Sequence, residues 1–194
     1  MKRVDLERAA EILRGGGIVI YATETFYGLG ALARDAKALA RLTAAKLRPE
    51  GKQLPLIAAD RAQADEVSRA WPPLAEKLVE KFWPGPLTLV LPAAPALPAE
   101  IAGDGTIAVR VPAHELAREL AQKAGGAIVS TSANLSGEAP VRDPAELSSD
   151  LLARVDGVLD GGLTPGGLPS TIIAFEQDAL RVVRAGAISI REVA

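Results

Sequence analysis

The chain has 194 residues, a formal net charge of −2 and 48% hydrophobic residues. It has no cysteine, which excludes disulfides and thiolate metal sites. The slight negative charge argues against a protein that coats nucleic acid, and no run of 18 apolar residues is present to span a membrane. The first residues lack the apolar segment of a signal peptide. We therefore expect one cytoplasmic domain over residues 1–194.

Apolar periodicity divides the chain into alternating helices and strands. The pattern predicts helices at positions 4–13, 36–47, 60–70, 73–82, 114–123 and 143–152. Short apolar runs predict strands at 18–22, 31–33, 54–58, 87–91, 107–111, 127–129 and 157–160, and an antiparallel pair at 170–175 and 179–183. This alternation predicts an α/β protein with a mixed sheet.

A polar cluster, Thr23-Glu24-Thr25, follows the first long strand, with Gly28 and Gly30 just after it. Two hydroxyls can bind a polar substrate, and glycines let a ligand approach the backbone. An ordinary turn with solvated threonines explains the same residues. From this stretch alone the turn is the better explanation.

A basic segment covers residues 34–52, where six basic and two acidic residues leave a net charge of +4. Three of its cations, Lys46, Arg48 and Lys52, fall within seven residues beside a proline. Such a group can clamp a polyphosphate, because arginine binds phosphate oxygens in pairs and lysine acts as a point charge. A solvated helix end explains the same cations, which favour the helix dipole.

The predicted strand at 107–111 contains one charged residue, Arg110. Alternation places Thr106 and Arg110 on one face and the branched apolar residues on the other. An arginine in so apolar a strand needs an anionic partner, such as a substrate carboxylate, or an exposed edge strand.

Two further polar clusters follow predicted strands or precede them. Four hydroxyls and an amide occupy 130–136, including Ser130, Ser132 and Asn134, although helix N-capping or an Asx turn explains the same residues. Ser170 begins the next strand pair, which leads to Arg184. The single histidine, His114, cannot build a metal triad in a chain without cysteine, and we expect it to begin a helix.

Six of these stretches occur in an order that resembles the YrdC-like family of threonylcarbamoyl-AMP synthases. The matching stretches are Thr23–Gly30, Lys46-x-Arg48-Pro49, Phe82–Thr88, Ala108–Pro112, Ser130–Gly137 and Pro169–Ile172. Each one is unspecific, but all six in order are highly specific. The length is similar to the single-domain form of the family.

This resemblance implies a twisted, open mixed sheet with helices around a large concave cavity. It also implies a nucleotidyltransferase that converts L-threonine, bicarbonate and ATP, with Mg²⁺, into threonylcarbamoyl-AMP and pyrophosphate. A downstream tRNA threonylcarbamoyltransferase complex would use the adenylate to make N6-threonylcarbamoyladenosine at tRNA position 37, and a weak direct tRNA contact is left open.

The resemblance assigns two groups of site residues and no covalent catalyst. Those expected to hold L-threonine are Thr25, Arg110, Ser130 and Ser170. Those expected to hold ATP are Lys46, Arg48, Lys52, Thr106, Ser132, Asn134 and Arg184. No residue is assigned to Mg²⁺. Many family members carry a histidine where this chain has Leu56-Ile57-Ala58-Ala59, so any role of that histidine is lost or replaced here.

Two other functions fit parts of the pattern. An RNA-binding module without catalysis would use the basic surface, but the low aromatic content offers few stacking platforms. A carbamoyl-transfer domain is known within long hydrogenase-maturation proteins, which carry zinc-binding cysteines that this chain lacks.

Overall fold

A computed structural model describes residues 2–47, 53–176 and 179–189. Seven α-helices lie in these ranges: α1 Leu6–Arg14, α2 Ala36–Lys46, α3 Arg61–Asp65, α4 Pro73–Phe82, α5 Ala99–Ala102, α6 Glu115–Ala124 and α7 Ser149–Leu152. The strands of the same ranges are β1 Arg3–Val4, β2 Val19–Tyr21, β3 Gly28–Gly30, β4 Leu56–Ile57, β5 Leu87–Pro92, β6 Thr106–Arg110, β7 Ile128–Val129, β8 Thr131–Ser132, β9 Gly157–Leu159, β10 Thr171–Glu176 and β11 Ala179–Arg184.

Side-chain caps explain where two predicted helices differ from the observed ones. The predicted helix at 4–13 begins at Leu6, because the Asp5 carboxylate accepts a hydrogen bond from the Arg8 amide at 2.8 Å. The predicted helix at 143–152 is a 3₁₀ turn, Pro144–Glu146, followed by α7. Asp143 caps the 3₁₀ turn and Ser148 caps α7, so two separate helical elements begin within the predicted range.

Two other predictions were wrong in their bounds. The strand predicted at 31–33 lies at Gly28–Gly30 instead, and Leu32 makes only an isolated bridge to Ile128. The helix predicted at 60–70 ends at Asp65. The strand β8 was not predicted, because its two residues lie inside a polar cluster that has no apolar pattern.

The α/β class with mixed strand directions is confirmed, and the strands form two sheets. The first sheet has the order β1-β9-β2-β3-β8, and the second has the order β11-β10-β5-β6-β4-β7. Only Ser130 separates β7 in the second sheet from β8 in the first. The two sheets are therefore joined at a seam, which the Ser130 amide secures by donating to the Pro55 carbonyl at 2.8 Å.

The core around this seam is aliphatic, as the low aromatic content requires. The strand β6 lies between β5 and β4 in the second sheet, and its Ile107 and Val109 side chains are fully buried. No helix within the described ranges is long and apolar enough to cross a membrane.

Candidate active site

A cavity of about 700 Å³ opens at the seam between the two sheets. Its polar lining comes from the ends of strands and the turns beside them. On the side of the first sheet the polar lining residues include Thr23, Thr25, Ser130, Thr131 and Ser132; on the side of the second sheet they include Gln53, Thr88, Arg110, Ser170 and Arg184. The sequence clusters around positions 25, 110, 130 and 170 thus meet at one place.

Strand register places Arg110 among hydroxyl groups. Leu89 of β5 pairs with Val109 of β6 in antiparallel register, so Thr88 lies opposite Arg110. The Thr88 and Ser170 hydroxyls are 2.8 Å apart. Ala108 also lines the cavity, which confirms the predicted alternation along β6.

Arg110 has an anionic partner inside the protein. Its guanidinium forms an ion pair with Glu24, and the two side chains are only 8% and 15% exposed. Because β6 lies between two other strands, the alternative of an exposed edge strand was wrong. Burial lowers the pKa of Arg110 to about 10, so the group stays cationic at neutral pH.

The turn at 23–26 directs the Thr25 hydroxyl into the cavity. Thr23 Oγ1 donates to the Phe26 carbonyl at 2.7 Å and accepts from the Thr25 and Phe26 amides. The Thr23 and Thr25 hydroxyl oxygens are 3.1 Å apart, and either one can be the donor in that contact. Thr25 lines the cavity, so its hydroxyl can contact a ligand.

The glycines after this turn pack against a tyrosine ring. A Cβ on Gly28 would lie 3.2 Å from Tyr21 Cζ, and one on Gly30 would lie 2.7 Å from Tyr21 Cε1. Gly28 also lines the cavity, so the expectation that it gives a ligand room stays a prediction, whereas Gly30 is not among the lining residues. The ring is held by its hydroxyl, which donates to the Val129 carbonyl at 2.9 Å.

Lys46 lies behind the cavity wall rather than on it. Its ammonium is within hydrogen-bond distance of the Ser132 carbonyl (2.5 Å), the Asn134 carbonyl (3.0 Å) and Asn134 Oδ1 (2.8 Å). Asn134 Nδ2 in turn donates to the Glu138 carbonyl. Of the three residues, Ser132 is the one that lines the cavity. Lys46 and Asn134 thus fix the turn that carries Ser132.

The remaining predicted residues are placed as follows. Thr106 is not among the residues that line the cavity, and its hydroxyl donates to Asp104 at 2.7 Å. Arg48 and Lys52 lie outside the described residues. Arg184 lines the cavity and donates to the Ser170 carbonyl at 2.8 Å and to the Ser170 hydroxyl at 3.0 Å.

His114 immediately precedes α6, as expected for a residue that begins a helix. Burial lowers its pKa below the usual value, and the positive charge of Arg118 adds to this. Across the described ranges, no group of three or more potential metal ligands comes together.

Sequence reasoning did not assign a site role to three residues at or beside the cavity. Glu24 was noted only as part of its cluster, Thr88 only as part of a motif, and Gln53 not at all. The opposite charges of Glu24 and Arg110 were a signal for the first, but their 86-residue separation gave no reason to pair them.

The fold and this cavity define an α/β protein with a cavity between two sheets, lined by hydroxyl groups and by the guanidinium groups of Arg110 and Arg184. The Sua5/YciO/YrdC family model, described as "Telomere recombination", matches residues 11–186. The chain belongs to this family.

Similarity extends to proteins with names and to solved structures. A threonylcarbamoyl-AMP synthase of Pyrococcus abyssi is 38% identical over 95% of the chain, and one of Halorhodospira halophila is 44% identical over 84%. The structure of P. abyssi Sua5 complexed with L-threonine matches 97% of the chain with a TM-score of 0.92 and 37% identity. The chain spans 55% of the P. abyssi synthase and 56% of the crystallised chain, about half of each, but 85% of the H. halophila relative.

Proposed function

We propose that this protein is a threonylcarbamoyl-AMP synthase, which makes the adenylate and pyrophosphate from L-threonine, bicarbonate and ATP. The observation that supports this most is the buried Arg110 guanidinium, which faces one cavity together with the Thr25, Ser130 and Ser170 side chains. The names of the relatives, and the threonine complex of the P. abyssi protein, support the same substrate.

In this proposal the four predicted residues hold threonine. Arg110 pairs with the substrate carboxylate, since a charge-assisted pair in a dry site is strong and directional. Thr25, Ser130 and Ser170 surround it with hydroxyls that bind the polar groups of the amino acid.

The ATP residues of the proposal act in two ways. Ser132 and Arg184 line the cavity and can reach a ligand directly. Lys46 and Asn134 support the turn that carries Ser132. Roles of Arg48, Lys52 and Thr106 in binding ATP remain part of the proposal, and Thr106 would have to release Asp104 to take part.

The proposed chemistry requires the protein to position the reactants and to neutralise their negative charge, and it requires no covalent catalyst. The threonine nitrogen bonds to the carbon of bicarbonate, and water leaves, which gives an N-carboxy group. An oxygen of that group then attacks the α-phosphorus, and the bond to the β-phosphate oxygen breaks as pyrophosphate leaves. In this second step the N-carboxy nucleophile, ATP and the pyrophosphate leaving group are all anionic, so arginines, lysines and hydroxyl donors lower the barrier by stabilising charge.

Mg²⁺ enters this proposal as part of the MgATP substrate. None of the described residues that line the cavity is acidic, and in our proposal ATP phosphates and water supply most of the Mg²⁺ ligands. We propose that the product passes, in the cytoplasm, to the complex that modifies adenosine 37 of tRNA.

The test is an assay of pyrophosphate release from ATP. We expect release only when both L-threonine and bicarbonate are present. Release that needs neither co-substrate, or no release at all, would contradict the proposal. RNA binding with steep salt dependence and no ATP turnover would favour the RNA-binding alternative instead.

A further inference from the structure

A row of four residues crosses the second sheet on the side of the cavity. Arg110 of β6 lies opposite Thr88 of β5 by the antiparallel register of the two strands. Ile172 of β10 pairs with Thr88 on one side and with Arg184 of β11 on the other. All four residues line the cavity. Adjacent strands are about 4.8 Å apart, so the row has a cation at each end and roughly 14 Å of sheet between the two backbones.

The two cations of this row interact with each other. Burial is the main cause that lowers the pKa of Arg110, and the positive charge of Arg184 adds to the effect. An anion between them would be attracted by both. Of the two residues between the arginines, Ile172 has no side-chain donor, whereas Thr88 carries a hydroxyl and is only 2% exposed. An anionic group held between the arginines would therefore meet Thr88.

Thr88 forms a hydroxyl pair with Ser170, which is buried and also lines the cavity. The two oxygens are 2.8 Å apart, and either one can be the donor. Arg184 donates to the Ser170 hydroxyl at 3.0 Å, and a guanidinium accepts no hydrogen bond in return. The pair therefore has two protons, of which the mutual hydrogen bond uses one. Among the described residues no acceptor for the second proton lies within reach, so one proton is left for a ligand, whichever hydroxyl donates within the pair.

The proposed reaction contains an anionic group that belongs between the two cations. Arg110 is proposed to hold the carboxylate of threonine, and Arg184 is proposed to hold ATP. The N-carboxy group is bonded to the threonine nitrogen and attacks the α-phosphorus, so it lies between the amino acid and the nucleotide. The order of the binding groups along the row thus matches the order of the reacting groups.

We propose that the hydroxyl pair of Thr88 and Ser170 binds the carboxylate that comes from bicarbonate, first as bicarbonate itself and then as the N-carboxy group. The inference rests on the proposed function and deepens it, since it gives bicarbonate a site and Thr88 a role. The pair donates one hydrogen bond to a carboxylate oxygen and transfers no proton. Such a charge-assisted bond holds the group in place for its attack on the α-phosphorus.

The Michaelis constants for the three substrates test this assignment. Pyrophosphate release is measured in buffer freed of carbon dioxide, while bicarbonate, L-threonine or MgATP is varied and the other two are saturating. Thr88→Val removes the hydroxyl and keeps a β-branched residue that suits a strand. We expect its Michaelis constant for bicarbonate to rise about tenfold or more, because a hydrogen bond to a charged group is lost. The constants for threonine and ATP should stay within about twofold of wild type.

Two further variants make the result specific. Thr88→Ser restores the hydroxyl and should return the bicarbonate constant to near its wild-type value. Thr164→Val is the matched control, because Thr164 is also 2% exposed and its hydroxyl donates to the Arg142 carbonyl, but it is not among the residues that line the cavity. This control should leave all three constants near wild type. Should Thr88→Val fail to fold, Thr88→Ala takes its place.

The outcomes separate this assignment from the proposed function. An unchanged bicarbonate constant in a folded variant that lacks the Thr88 hydroxyl overturns the assignment alone. An equal rise of all three constants, or a rise confined to threonine, does the same. A wild-type protein whose pyrophosphate release does not depend on bicarbonate overturns the proposed function as well.

Discussion

At the scale of single residues, the ring of Tyr21 restricts two positions of the neighbouring strand to residues without a side chain. The ring lies across Gly28 and Gly30 of β3, which pair with β2 in antiparallel register. The two glycines therefore leave room for the Tyr21 ring, which lets β2 and β3 pair next to the cavity.

This packing predicts the effect of one added methyl group. Gly30→Ala places a Cβ 2.7 Å from Tyr21 Cε1 and 3.0 Å from the Val129 carbonyl, and we expect a loss of about 1–3 kcal/mol in the free energy of unfolding. Gly126→Ala is the matched control, since its nearest atom is 3.8 Å away, and should stay within about 0.5 kcal/mol of wild type. Urea denaturation measures both; equal values for the two variants would show that the ring does not impose this limit.

The two tyrosines of the chain both keep their hydroxyl proton to a higher pH than a tyrosine in water does. Burial raises the pKa of Tyr27 to about 12 and raises that of Tyr21 still further. The unfolded chain ionises near pH 10, so stability is full below that pH and falls as pH rises towards 12. We expect no tyrosinate absorbance from the folded protein at pH 10. Half-ionisation at pH 10 in a protein that is still folded would contradict the burial of both rings.

At the scale of elements, the last turn of α2 supports the strand that carries Ser132. Lys46 ends α2 and is only 4% exposed, and its ammonium contacts the backbone at two positions of the turn. The helix and the cavity wall are thus connected by one side chain.

This connection predicts that Lys46 stabilises the fold, in addition to its proposed role in ATP binding. Lys46→Met leaves buried carbonyls without their donor, and we expect the free energy of unfolding to fall by about 2 kcal/mol or more. Lys37→Met changes an exposed lysine of the same helix and should have an effect within about 0.5 kcal/mol. Chemical denaturation of the two variants compares them directly. If the Lys46 variant is as stable as the Lys37 variant, the contacts of Lys46 with the turn do not stabilise the fold and this prediction is wrong.

Local elements were predictable from the sequence, but the pairing of distant residues was not. The bounds of α4 and the hairpin of β10 and β11 follow from periodicity and a short polar turn. The division into two sheets depends on the crossover at Ser130, which no local pattern marks. The same limit hid the Glu24–Arg110 pair, because long-range contacts are set by how whole elements pack.

At the scale of the whole molecule, the central question is whether this chain alone carries the activity. It spans 55% of the P. abyssi relative but 85% of the H. halophila relative, and both are named threonylcarbamoyl-AMP synthases. In our proposal the cavity of this chain binds the substrates, and the proposal predicts that the purified chain forms the adenylate by itself.

The most direct test follows the carbon of bicarbonate into the product. The purified chain is incubated with MgATP, L-threonine and ¹³C-bicarbonate, and the nucleotides are analysed by mass spectrometry. The account predicts threonylcarbamoyl-AMP that is heavier by the isotope, with none formed when threonine is omitted. An adenylate without the labelled carbon, or AMP and pyrophosphate released with no threonine-containing adenylate, would contradict it.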